Sequence, residues 1–167
     1  ITTYFKRRFD TDMEEDWILY SPSVMYSVSL LIRLLSQPHD KVLTMNPMYD
    51  AFINVIKEND RELLSHHLIK EEGTFKIDFD VFEKQAQEST LLLLCAPHNP
   101  TGRIWSDEEM HHMIEICKKY QVKIISDEIH MDIRIKDAKH HPLMKYYDEY
   151  KDIFTASSSS KTLNTPG

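Results

Sequence analysis

The run LLLLCA at residues 91–96 has no charged or amide side chain for either face of a strand, and it is too short for a buried helix. Such a run folds as a strand covered on both sides, which requires a sheet held between two other layers. VKIIS (122–126) and IFTAS (153–157) read in the same way, and KVLTM (41–45), RELLSHHLI (61–69) and WILY (17–20) add further expected strands. Helical patterns alternate with them. Apolar residues at 24, 25, 28, 31, 32 and 35 predict a helix from Val24 to Leu35, a second is expected around 49–59, and DFDVFEKQAQ (78–87) forms a third. Ser106 to Glu109 is a capping box that opens a helix running to about Tyr120. The opening residues from Ile1 to Arg8 lie in an amphipathic helix. Strand and helix in alternation predict an α/β fold: a mostly parallel sheet in a three-layer α/β/α arrangement.

The 167 residues fit one domain, and the start at Ile1, with no initiator Met or signal peptide, reads as part of a longer chain. With 20 basic against 27 acidic residues the net charge is −7, which argues against a nucleic-acid partner while leaving room for phosphate at a local site. No segment approaches the roughly 18 apolar residues of a membrane span. Cys95 and Cys117 sit in apolar runs and read as reduced, buried thiols, which favours a cytoplasmic protein. Glycine occurs only at 73, 102 and 167, so neither a G-x-G-x-x-G turn nor a P-loop is present. A cofactor in this chain is held by other means.

In a parallel sheet, ligands bind beyond the carboxyl ends of the strands. LLLLCA is followed by Pro97-His-Asn-Pro-Thr-Gly102, VKIIS by Asp127-Glu-Ile-His130, and IFTAS by three serines and Lys161. An amide, a carboxylate and an amine thus stand at corresponding ends of three strands. Taken singly, Asn99-Pro100 is a turn, Asp127 a solvated strand end, and the serine run a flexible tail. Taken together they match pyridoxal phosphate chemistry. That chemistry needs a lysine for a Schiff base, a carboxylate to keep the pyridine nitrogen protonated, and a donor to the ring oxygen. Lys161, Asp127 and Asn99 supply these in turn.

The segments SPSVMYSVSLLIR (21–33), NPMYDAF (46–52), LLCAPHNPTGRIW (93–105), ISDEIHMD (125–132) and SSSSKTLN (157–164) resemble the aminotransferase class I and II family of fold type I pyridoxal phosphate enzymes. DEIH, where true aminotransferases commonly carry DEIY or DEVY, makes the chain most similar to the MalY/PatB branch of cystathionine β-lyases. The resemblance implies that residues 1–167 are part of a large cofactor-binding domain. The N-terminal segment, the rest of that domain, the C-terminal small domain and the arginine for the substrate carboxylate then lie outside it. It also implies pyridoxal 5'-phosphate as cofactor, an amino-acid substrate such as cystathionine or a cysteine conjugate, and a homodimer when intact.

By the same resemblance Lys161 is the Schiff-base lysine, Asp127 the pyridinium partner, and Asn99 the contact to the phenolic oxygen. His130 takes the position of the relatives' tyrosine, or else packs as a strand-end histidine. Tyr49 stacks on the cofactor ring, or else serves the core. The phosphate is expected on the first turn of the helix opened by Ser23, at the N–H groups of Val24 and Met25, with hydroxyls from Ser158 and Ser160. The activity implied is α,β-elimination to a thiol, pyruvate and ammonia. An aminotransferase and a regulatory protein of the MalY type are the alternatives. The His-His pairs at 66–67, 111–112 and 140–141 read as surface histidines, and no metal is assigned.

Overall fold

The structure, a computed structural model, describes residues 1–133 and 138–165. Helix α1 (Thr2–Phe9) leads through a 3-10 turn at Glu15–Trp17 to α2 (Val24–Leu35), strand β1 (Lys41–Asn46), α3 (Asp50–Glu58) and β2 (Glu62–His67). A short hairpin follows, β3 (Ile69–Glu71) and β4 (Thr74–Lys76), then α4 (Phe79–Ala86), β5 (Leu91–Cys95), α5 (Asp107–Lys119) and β6 (Lys123–Asp127). A second 3-10 turn at Leu143–Tyr146, β7 (Ile153–Ala156) and one helical turn, α6 (Ser160–Leu163), complete the described elements.

Five strands form one parallel sheet in the order β2-β1-β5-β6-β7. The expected two-sided burial holds: every residue of β5 is buried, and its side chains alternate between two cores. Leu91, Leu93 and Cys95 meet Val28, Ile32 and Phe52 of α2 and α3 on one face. Leu92 and Leu94 meet Phe82, Met113 and Cys117 of α4 and α5 on the other. Each such leucine contributes about 1.5–3 kcal/mol by leaving water, and none could be turned to solvent by a register slip. The result is the three-layer α/β/α fold with its mostly parallel sheet, and both cysteines are buried free thiols.

The helix starts follow from local chemistry. Ser23 Oγ accepts the Tyr26 N–H (3.2 Å), Asp78 Oδ1 accepts that of Val81 (3.1 Å), and Ser106 and Glu109 make the capping box in both directions (3.2 and 2.9 Å).

Three expectations are corrected. WILY is not a strand: Trp17 closes the 3-10 turn and packs on Tyr147 (4.4 Å between ring centres), and Ile18 to Tyr20 run on without a strand partner among the described residues, with Leu19 89% and Tyr20 96% exposed. An apolar run shows strand propensity, but no strand pairs with this one. RELLSHHLI ends as a sheet strand at His67, because a separate hairpin begins at Ile69. Its turn has positive φ at Glu72 (50°) and Gly73 (80°), the conformation that suits a two-residue connection. The histidine pairs are split rather than uniformly superficial. His66 is buried with Nδ1 2.7 Å from Gln85 Oε1, and His140 is buried with Nε2 3.2 Å from Glu128 Oε2, whereas His67 and His112 are exposed. Burial lowers the His66 pKa below its ordinary value.

Candidate active site

Because the sheet is parallel, β1, β5, β6 and β7 all end at the same edge, and they are adjacent in the sheet. Their continuations carry Tyr49, Asn99, Asp127 with His130, and Lys161, so the residues expected at the site stand in chain order along one edge.

Asp127 is the last residue of β6, flanked in register by Cys95 and Ala156. Its carboxylate is buried, and Oδ1 accepts the Ile129 N–H at 3.1 Å. Burial, aided by the charge of Glu128 and opposed by the Ile129 bond, pushes its pKa up to about 6. No cation among the described residues offsets that burial. A buried carboxylate at a ligand-binding edge without its own counter-ion suits a cationic N–H donor on a ligand, and a pyridinium nitrogen is such a donor.

The loop after β5 is held tightly. Trp105 is buried and its indole N–H donates to Cys95 O (3.0 Å), while Arg103 Nη2 donates to both Glu109 oxygens (2.6 and 2.7 Å). His98 N donates to Arg103 O and Gly102 N to His98 O, each at 2.7 Å, and His98 Nδ1 lies 2.7 Å from Thr101 Oγ1. Gly102 has φ of 70°, the left-handed conformation that closes this turn most easily without a Cβ. Burial, with the Arg103 charge beside it, drops the His98 pKa to about 4, so its ring is neutral. On this frame Asn99 is partly exposed, its N–H directed to Cys95 Sγ (3.4 Å). Burial and the nearby Asp127 charge push the Cys95 thiol up to about 12, so it is no thiolate nucleophile.

Asn99 and His130 line one cavity of about 410 Å³ with Pro97, Ile104 and Ile133. The His130 pKa is lowered, first by burial and then by the positive charge of Lys161, which places these two side chains within electrostatic reach. Lys161 itself is exposed. It lies not at the strand end but on α6, beyond Ser157, whose hydroxyl donates to Glu128 O (3.1 Å). Tyr49 is the residue before α3, 42% exposed, with its ring edge-on to Phe52 at 5.9 Å. The alternative of a core tyrosine is not what is seen.

Helix α2 packs against β6 and β7, and its end leads directly back to β1. A 12-residue helix is about 18 Å long, close to the span of a six-residue strand, so its first turn reaches the edge where the strands end. There the Val24 and Met25 N–H groups precede any intrahelical partner. Ser158 Oγ accepts the Ser160 N–H (3.2 Å), which leaves its own proton to donate.

Two acidic residues here carry no sequence signal of their own beyond the DEIHMD motif. Glu128 is fully buried, with Oε1 accepting the Leu143 N–H (2.8 Å) and Oε2 facing His140. Asp132 meets Tyr4, Arg8 and Thr162, residues far away in the chain. Only the tertiary fold reveals either set of partners. No group of three His, Cys, Asp or Glu side chains among the described residues is arranged to hold a metal. A second cavity of about 440 Å³, between Asp10–Trp17 and Met144–Lys151, contains none of the expected site residues.

The chain is 33% identical over 167 residues to cystathionine beta-lyase PatB of Bacillus subtilis, covering 98% of this chain and 43% of that protein. It is 34% identical over 168 residues to protein MalY of Escherichia coli, covering 99% and 43%. The crystal structure of a PLP-bound C-S lyase from Staphylococcus hominis superimposes with a TM-score of 0.94 at 32% identity, over 98% of this chain and 43% of that one. The chain therefore spans less than half the length of these relatives. Residues 1–167 match the model of aminotransferase class I and II from end to end, and the chain belongs to that family.

Proposed function

We propose that the protein containing this chain is a pyridoxal phosphate-dependent carbon–sulfur lyase that acts by α,β-elimination on cystathionine or a related cysteine thioether. The observation that carries the reading is the row of Tyr49, Asn99, Asp127 and Lys161 along one sheet edge, with a buried carboxylate that has no cation beside it among the described residues. The similarity to PatB, named a cystathionine beta-lyase, favours elimination over transamination.

Bound at this edge, pyridoxal phosphate supplies an aldehyde that condenses with amines and a ring that accepts the electron pair left at Cα. The Lys161 amine would be the group that condenses with that aldehyde. The freed Lys161 amine then removes the Cα proton as general base. Asp127 would keep a proton on the ring nitrogen, Asn99 would donate to the phenolic oxygen, and Tyr49 would cover a ring face. His130, its pKa lowered by burial and by the Lys161 charge, would bond the same oxygen or the lysine. Val24 and Met25 N–H, with the hydroxyls of Ser23, Ser158 and Ser160, would take the phosphate. The Cβ–S bond breaks with its electron pair leaving on sulfur. With one water consumed, the products of cystathionine are homocysteine, pyruvate and ammonia. The remainder of the large domain, the small domain and a second subunit complete the site.

The test uses the full-length protein with pyridoxal phosphate and cystathionine. Pyruvate release without an added keto acid, together with a borohydride-trapped pyridoxyl group on Lys161, is the expected result. Turnover that requires a keto acid and yields no pyruvate from the substrate would replace this reading with an aminotransferase.

A further inference from the structure

Asp132 lies five residues beyond Asp127, on the turn that follows β6, with its side chain 10% exposed. Its two oxygens face different parts of the fold. Oδ1 accepts the Tyr4 hydroxyl of α1 and lies 3.6 Å from Arg8 Nε; Oδ2 accepts the Thr162 hydroxyl at 2.8 Å. Thr162 is the residue after Lys161. The other hydrogen bonds of the lysine turn are internal: Ser160 N to Ser158 Oγ (3.2 Å), Leu163 N to Ser159 O (2.8 Å) and Thr165 N to Ser160 O (3.1 Å). Among the described residues, the bond to Asp132 is the one hydrogen bond that joins 158–165 to another element.

The anchor is itself fixed. Phe5 and Phe9 of α1 form a small core with Met131, the neighbour of Asp132, and the edge of Phe9 meets His140 at 5.8 Å. Tyr4 has its pKa raised by burial and by the Asp132 charge, so its hydroxyl remains a donor. A hydroxyl bonded to a carboxylate that is already held by a phenol and a guanidinium is directional and charge-assisted. It gives the exposed, one-turn helix a fixed point next to the reacting amine.

Building on the role of Lys161 proposed above, we infer that Asp132 is a positioning residue: through Thr162 it fixes the lysine turn against α1 and so sets where the Lys161 amine stands relative to the cofactor. It touches neither substrate nor cofactor. Its effect is on the placement of a group whose misplacement by a fraction of an ångström slows chemistry more than binding.

The experiment compares Thr162→Val, Thr162→Ser and Asp132→Ala in the full-length protein. Three quantities are read: the rate at which borohydride traps a pyridoxyl group at Lys161, kcat and KM with cystathionine, and Tm without cofactor. Thr162→Val is expected to slow trapping and lower kcat roughly tenfold with KM and Tm unchanged, and Thr162→Ser to restore both rates. Asp132→Ala is expected to lose more and to lower Tm as well, since it orphans Tyr4 and Arg8. Wild-type trapping and kcat in Thr162→Val would overturn the positioning role, as would a Thr162→Ser variant that restores neither rate. Trapping in the wild type at a lysine other than 161 would overturn the Lys161 reading itself, and this role with it. Trapping at Lys161 with an unaffected Thr162→Val would overturn the positioning role alone.

Discussion

The two segments that carry Asn99 and Lys161 are built in opposite ways. Residues 96–105 are pinned by a buried tryptophan, a neutral buried histidine and an arginine held on both oxygens of a glutamate. Residues 158–165 are largely exposed and, among the described residues, are tied to the other elements through one side-chain bond. On the proposed reading this division has a chemical sense. Asn99 and Asp127 must hold a ring still, and the core places them. Lys161 must let go of a carbon, take a proton and return, and surface chemistry places it.

The sharpest test of the contrast is Lys161→Ala. It should reduce turnover by about four orders of magnitude or more while leaving Tm unchanged, because the side chain is exposed. A large loss of stability in that variant would show that the lysine turn is structural after all. Asp127→Asn should lower kcat by roughly two to three orders of magnitude, since the amide no longer holds a proton on the ring nitrogen.

The same substitution has a second, opposite effect in the cofactor-free protein. Asp127 titrates near 3.8 when unfolded and near 6 when folded, so the folded state holds more protons across that interval. Its stability therefore falls as pH rises from about 4 through 6, and the cost is complete above that. Removing the charge should stabilise the cofactor-free protein by about 3 kcal/mol at pH 8 and by nearly nothing at pH 3. Thermal melts of wild type and Asp127→Asn at the two pH values give the difference directly.

Trp105→Phe attacks the rigid segment. It deletes the indole bond to Cys95 O and should lower stability by about 1–3 kcal/mol with a smaller change in kcat. That is the mirror image of Thr162→Val, and equal stability loss in both variants would erase the distinction between the segments. Tyr49→Leu is the mildest: its ring is half free, and loss of a face contact should weaken cofactor retention about two- to tenfold, measured as release on dilution.

Much of this was legible in the sequence where a residue's role is local or periodic. The uniform burial of β5 follows from the absence of any charged side chain in LLLLC, and the start of α5 follows from Ser106 and Glu109 alone. The edge carrying Asn99, Asp127 and Lys161 follows from strands that all run one way. What was not legible depends on partners brought by the tertiary fold. WILY has the composition of a strand and lacks only a strand to pair with among the described residues. His140 is paired with Glu128 across a segment that no periodicity links to it. Asp132 closes with its partners 30 or more residues away, Thr162 on one side and Tyr4 on the other. The β3–β4 hairpin is different, since Glu72-Gly73 between alternating residues was a readable turn signal.

The row of site residues also has a kinetic meaning. Tyr49, Asn99, Asp127 and Lys161 follow four strands whose pairing is set by contacts distant in sequence, and the lysine follows β7, which among the described residues pairs with β6. On the proposed reading these four residues come together only once β7 has docked on β6, a pairing between segments distant in sequence. Capture of pyridoxal phosphate at Lys161 during refolding would then act as a clock for that docking rather than for the collapse that precedes it.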